Sequence, residues 1–200
     1  MITVILAIST ELLAGAGAAA PNRNAIVQNW YGETDYGYNT WFMFFFQLSY
    51  VKDFPLGLEP YFRISHMDHN QRLALDIVDG VEMGSRLNES MVTYEFGFSR
   101  LFHRWSRFYL IGGGAFTGNF CHWERQFYGS AARKIDQVTP GILGLARIEY
   151  REDYKEWLGD KNVTVIVGMS GRLNYLNFRP EVWPCQEWYG LLDIYVGVRW

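Results

Sequence analysis

The chain has 200 residues, a formal net charge of −3, 49% hydrophobic and 18% aromatic residues. That suits one domain and gives no electrostatic reason to expect nucleic acid. Mean hydropathy is −0.11, and beyond the N-terminal segment no apolar run approaches the roughly 20 residues of a membrane-spanning helix. Trp 8, Tyr 13 and Phe 14 stand beside Gly 20 and only Pro 6, with no C-x-x-C pair and no Lys/Arg run. An aromatic-rich, glycine-rich composition favours β-structure.

Residues 2–10 are mostly apolar, and Ala14–Ala20 is a small-residue tract containing Ala16-Gly17-Ala18. This is the pattern of a secretory leader with an A-x-A cleavage site. No Lys or Arg precedes the apolar core, and Glu11 interrupts its end. The reading is a leader over residues 1–20, cut after Ala18 in preference to Ala20, because Pro21 would follow the second cut. A single domain then occupies 21–200.

NAIVQNWYGE (Asn24–Glu33) supplies a first, weak strand. In NTWFMFFFQLSYV, Phe42, Phe44, Phe46, Leu48 and Tyr50 share one face, against Trp41, Met43, Phe45, Gln47 and Ser49 on the other. KDFPLG breaks the run, and LEPYFRIS sets Leu58, Phe62 and Ile64 against Glu59, Tyr61, Arg63 and Ser65. A long polar connection covers 66–90. MVTYEFGFSRLF is the clearest internal strand, with Val92, Tyr94, Phe96 and Phe98 opposed to Thr93, Glu95, Gly97 and Ser99.

RFYLIGGGAFTG returns after a short turn, and its Gly112–Gly114 run leaves the choice of face open. A polar connection over 117–137 leads to TPGILGLARIEYRE, where Ile142, Ala146, Ile148 and Tyr150 oppose Leu143, Leu145, Arg147 and Glu149. VTVIVGMSGRLNYL sets Val163, Val165, Val167 and Met169 against Thr164, Ile166, Ser170 and Arg172. The chain ends on YGLLDIYVGVRW. Eight strands result. Connections near 51–57, 102–107 and 151–161 are the shorter set. Those at 66–90 and 117–137 are long, 177–186 is intermediate, and 33–38 is a short exception. Short turns at one end and longer loops at the other are the asymmetry of a transmembrane barrel.

Alternation defines two faces without saying which points outward. In a secreted soluble barrel the apolar face would enclose an apolar ligand; in a membrane barrel it would meet acyl chains around a polar lumen. The polar face carries Arg63, Glu95, Arg147, Glu149, Arg172, Asp193 and Arg199. None of the seven is lysine, and arginine's planar fork suits confined, multiply bonded pairing. The expected fold is therefore an all-β, eight-stranded antiparallel up-and-down transmembrane β-barrel. Its polar interior is filled by side chains rather than open as a channel.

The last strand, with Leu192, Ile194, Val196, Val198 and the terminal Trp200 at alternate positions, resembles the C-terminal signal of small bacterial outer-membrane β-barrel proteins. Phenylalanine is the commoner last residue there, and tryptophan a variant. The resemblance implies an outer-membrane address, surrounding lipid and lipopolysaccharide, and handling by the barrel-assembly machinery. It implies no particular activity.

Other residues carry less. Cys121 and Cys185 fall in adjacent loops of the expected barrel, and export favours a bridge between them over two separate thiols. His66, Asp68 and His69 form the one dense titratable cluster at a strand end, able in principle to act as base and orienter or to bind a metal. An ordinary solvated loop is the preferred reading, so no metal and no cofactor is expected. The His-x-Ser-Asn motif of lipid A deacylases is missing, and no pattern matches the palmitoyltransferase. Arg125, Arg133, Lys134 and Arg179 are available to lipopolysaccharide phosphates. The leading expectation is a non-enzymatic barrel acting in surface contact or envelope integrity. A lipid A-modifying enzyme and a secreted ligand-binding barrel are the alternatives, and the oligomeric state is left open.

Overall fold

The structure is a computed structural model that describes residues 10–21, 41–51, 55–78, 81–127, 131, 133–158, 161–177 and 186–200. Eight strands follow in chain order: β1 (Thr10–Pro21), β2 (Trp41–Tyr50), β3 (Leu58–Val78), β4 (Val81–Trp105), β5 (Phe108–Phe127), β6 (Arg133–Leu158), β7 (Lys161–Asn177) and β8 (Gln186–Arg199). Each pairs antiparallel with the next, and β8 closes on β1. The closing seam runs to the end of the chain, where Thr10 and Trp200 exchange backbone hydrogen bonds of 3.0 and 3.1 Å.

The register fixes the geometry. Stepping across paired residues from Pro21 through Tyr189, Asn174, Leu143, Ala115, Gly97, Tyr61 and Ser49 returns to Glu11, ten residues along the same strand. Eight strands with that stagger tilt about 40° from the axis and enclose a cylinder of about 8 Å radius, measured to the backbone. Such a lumen is filled by inward side chains.

The residues expected to end a leader form a barrel strand here: Thr10–Pro21 pairs with β2 and β8, and a cut after Ala18 would remove most of the element on which β8 closes. Its alternation is masked by small residues: Leu12, Ala14, Ala16 and Ala18 face out, while Glu11, Leu13, Gly15 and Gly17 face in. The glycines are required by the packing. A Cβ on Gly15 would lie 2.6 Å from the Phe45 ring and 2.7 Å from Tyr195 Cβ. The weak strand expected over Asn24–Glu33 lies outside the described residues.

The connections also differ from expectation. The polar stretch at 66–90 is mostly strand, since β3 continues to Val78 and β4 begins at Val81, with a register shift between Leu73 and Asp76. Similarly, β5 runs to Phe127 and β6 starts at Arg133. Polar residues at consecutive positions of the β3–β4 ribbon, Asp68-His69-Asn70-Gln71-Arg72 and Asn88-Glu89-Ser90, hide the period-2 signal that a buried face imposes. At the opposite end, β4 and β5 are joined by Ser106-Arg107, with Ser106 in the left-handed region at φ 57. We call these the loop end and the turn end.

The apolar face points outward. Phe44, Phe46 and Phe96 are 65%, 62% and 64% exposed, joined by Phe116, Ile142, Leu192, Ile194 and Val196. On β4 the outward residues Val92, Tyr94, Phe96 and Phe98 are bracketed by Ser90 and Arg100, ten residues apart. At the strand rise and tilt above, that interval spans about 25 Å along the axis.

Candidate functional site

The seven residues assigned to the polar face lie on the lumen side, where they join two clusters. Arg63, Glu95, Arg147, Glu149, Arg172 and Asp193 are buried, and Arg199 is half-buried at the turn end.

The first cluster joins β3, β4, β7 and β8. Arg63 donates to Asp193 Oδ2 at 2.9 Å, and Arg172 Nε donates to the same oxygen at 2.9 Å. Arg172 reaches across to Glu95 at 2.5 Å, while Arg63 Nε stands 3.7 Å from that carboxylate. Ser170 donates to the second Asp193 oxygen. The Arg63 guanidinium lies over the Phe45 ring, 3.3 Å from its centroid. Two cations meet two anions. A planar fork that touches two carboxylates while stacking on a ring is a role lysine does not fill.

The second cluster, nearer the turn end, centres on Glu11 and Glu149. Arg199 donates to Glu11 Oε2 through Nε at 3.0 Å and through its terminal nitrogen at 2.5 Å, and to Glu59 at 3.0 Å. Arg147 lies 3.5 Å from Glu11 and 3.3 Å from Glu149. Arg151 donates to Glu149 at 2.7 and 2.5 Å, and the Tyr195 hydroxyl donates to its other oxygen at 3.0 Å. Glu11, Glu59, Arg151 and Tyr195 were not among the expected network residues. Charge balance is the signal that finds Glu11, since four arginines against three acids leaves a cation without a partner in a closed lumen.

The rest of the lumen is not uniformly polar, which corrects the expectation of a polar interior. Met43, Met67, Met91 and Cys121 lie side by side in register toward the loop end, all buried. Phe45, Leu13, Ile166 and Tyr195 continue the apolar packing. Between layers, Thr93 donates to Asn119 at 2.8 Å, and Asn119 donates to Thr117 at 3.0 Å and to the Thr139 carbonyl at 3.1 Å.

Cys121 is thus an inward residue of β5 rather than a loop residue, and Cys185 lies outside the described residues. His66 and Asp68 do not converge with the network. They face outward on β3, opposite Phe44 and Phe42 in register, and the side chain of His69 lies outside the described residues. Among the described residues no group of three His, Cys, Asp or Glu is placed to hold a metal ion. Of the basic candidates, Lys134 pairs with Glu124 at 3.0 Å, Arg125 and Arg133 are opposed in register, and Arg179 lies outside the described residues. Leu192, Ile194 and Val196 point outward from the closing strand, with Val198 and Trp200 half-buried at its end.

No protein-family model and no curated relative matches the chain. Its fold is similar to solved structures. Neisserial surface protein A (NspA) is 14% identical with a TM-score of 0.50, covering 95% of both chains. Ail, the attachment invasion locus protein of Yersinia pestis, is 10% identical with a TM-score of 0.51, covering 96% of this chain and 99% of that one. Ail in complex with the heparin analogue sucrose octasulfate gives 9% identity and a TM-score of 0.52 over the same shares. At these identities the likeness is one of fold: a closed, eight-stranded antiparallel barrel.

Proposed function

We propose that this chain is a bacterial outer-membrane β-barrel with a sealed lumen, and that it works through its outer wall and its loop-end ribbons. The observation that carries the reading is the outward apolar band on β4, bracketed by Ser90 and Arg100 about 25 Å apart, the height of the lipid-facing band of such barrels. Phenylalanine rings more than half exposed around a closed wall are ruinous in water and at home in hydrocarbon. A secreted barrel with an apolar ligand inside fits poorly, because the lumen holds ten charged groups in two paired clusters.

The layered packing opposes a conducting pore. What remains for function is surface contact or support of the envelope at the loop end, facing out, with lipid and lipopolysaccharide around the wall. Leu192, Ile194, Val196, Val198 and Trp200 would serve as the signal read by the assembly machinery. A second reading, a lipid-modifying enzyme, is favoured by one observation on the outer wall, taken up below, and is compatible with contacts made by the ribbon tips.

The test is flotation of the refolded chain with phospholipid vesicles, together with heat-modifiable migration on a gel. Co-flotation and a heat-dependent shift are expected. A chain that stays in the aqueous fraction while folded overturns the reading.

A further inference from the structure

Four outward residues stand in one register row on neighbouring strands toward the loop end: Asp68 on β3, Ser90 on β4, His122 on β5 and Asp136 on β6. His122 and Asp136 are already engaged, with Nδ1 2.6 Å from Asp136 Oδ1. That contact places the ring proton on Nδ1 and leaves Nε2 as the basic nitrogen. Directly opposed residues on paired strands hold their Cβ atoms about 5 Å apart, so Ser90 and His122 are within reach of each other. Serine, histidine and aspartate on three successive strands have the composition and order of a nucleophile, a base and the group that orients it. The Ser90 hydroxyl makes no hydrogen bond to His122 among the described residues. Such pairs are often loose before substrate arrives and tighten around it.

The position of the row names the substrate class. One step toward the turn end, the outward residues are His66, Val92, Phe120 and Val138, the last two at least half exposed. One step toward the loop end, the register positions belong to Asn70, Asn88, Glu124 and Lys134. The row therefore sits where the wall changes from apolar to polar, and Ser90 marks the upper edge of the 25 Å band. In a bilayer, that boundary is where acyl chains join their headgroups through ester carbonyls. The rows climb toward the loop end by about 3 Å per strand at this tilt. Among Ser90, His122 and Asp136, the aspartate consequently stands furthest toward the loop end.

We propose that Ser90, His122 and Asp136 form an esterase site on the outer wall that hydrolyses acyl esters of outer-leaflet lipids. This rests on the membrane reading above, because the substrate reaches the row only if the wall is embedded. Ser90 Oγ bonds to the ester carbonyl carbon as its proton passes to His122 Nε2. The carbon–oxygen bond to the lipid alcohol breaks, and that alcohol leaves with the proton. Water then attacks the acyl-serine, giving one proton to His122 and thence to Ser90, and the acyl chain departs as a carboxylic acid. Asp136 is the positioning residue that holds the imidazole in its working tautomer.

The experiment uses the full chain refolded into vesicles of phosphatidylcholine and phosphatidylglycerol in one arm, and in detergent with purified lipopolysaccharide in the other. Released fatty acid is read by mass spectrometry. Release in either arm is expected, the arm identifying the lipid, with a loss of about 10³-fold or more in Ser90→Ala and in His122→Ala. Asp136→Asn should lose turnover while Asp136→Glu retains it. Release that survives Ser90→Ala, or no release in either arm from protein that floats and shifts on heating, overturns the proposal alone. A chain that does not float with vesicles sinks the membrane reading and this site together.

Discussion

At the turn end of the lumen, the Glu11 carboxylate is held by Arg147, Arg151 and Arg199. Toward the loop end, the corresponding layer is built from Met43, Met67, Met91 and Cys121, with no charge among them. Both fill the same narrow cylinder, and the Glu11 carboxylate is as buried as the methionines, with Arg199 half-buried at the turn-end mouth. They differ in what a change of partner costs. A charge deprived of its counterion inside the lumen has no water to fall back on, whereas an unbranched thioether adapts its torsions to a new neighbour. The barrel thus has one end specified by pairwise chemistry and another specified by volume.

The largest effect is expected from Glu11→Ala. It strips the shared carboxylate from three guanidiniums, and removing one partner of a buried charged group costs about 3–5 kcal/mol. Urea unfolding of vesicle-folded protein, followed by tryptophan fluorescence, measures this directly. A loss under about 1 kcal/mol would erase the distinction between the two ends. Next comes Arg172→Met, which leaves Glu95 and Asp193 short of a cation at a similar cost. The sharper version replaces Arg63, Glu95, Arg172 and Asp193 together with apolar residues of similar volume. Because no charge is then stranded, the quadruple variant is expected to be more stable than Arg172→Met alone. If it is less stable, the cluster contributes net attraction beyond balancing its own desolvation.

Gly15→Ala tests packing next to the charged region. The added carbon would stand 2.6 Å from the Phe45 ring and 2.3 Å from the Ile194 carbonyl oxygen, so the ring and a backbone must both yield. Overpacking of this kind costs about 1–3 kcal/mol, read in the same titration. Phe45 also carries the Arg63 guanidinium on its face. A displaced ring should therefore weaken the first cluster, and Gly15→Ala combined with Arg63→Met should cost less than the two changes added separately.

These contrasts bear on what the sequence discloses. Strict alternation in Phe42–Tyr50, Val92–Ser99 and Leu192–Trp200 is enough to define two faces, because a wall with unlike surroundings on its two sides imposes period 2 on the residues that line it. It is not enough to say what fills the lumen, since Met43 and Phe45 share their face with Gln47 and Ser49. β1 hid because alanine and glycine alternate without changing polarity, and the same tract suits a signal-peptide reading. Read as a leader, the tract shifts the eighth strand to Asn24–Glu33 and leaves Glu11, the acid that balances the network, as an interruption of an apolar segment. The row formed by Ser90, His122 and Asp136 was out of reach for a different reason. Residues 90, 122 and 136 share no motif, and only the register of β4, β5 and β6 brings them into line.

The smallest effect is expected at the loop end, and it is the one that decides whether the comparison holds. Met67 lies between Met43 and Met91, facing Cys121 across one strand, in a layer whose members are all 5% exposed or less. Leucine has similar volume and brings no new polar atom, so Met67→Leu should cost under about 1.5 kcal/mol. The layer should tolerate it because flexible thioethers on both sides can shift to meet a branched neighbour. A loss approaching that of Glu11→Ala would mean that the methionines are locked as tightly as the ion pairs, with shape rather than volume specifying the loop end. Unfolding of Met67→Leu beside Glu11→Ala in the same vesicles therefore reads the contrast as a single difference, free of the uncertainty in either absolute stability.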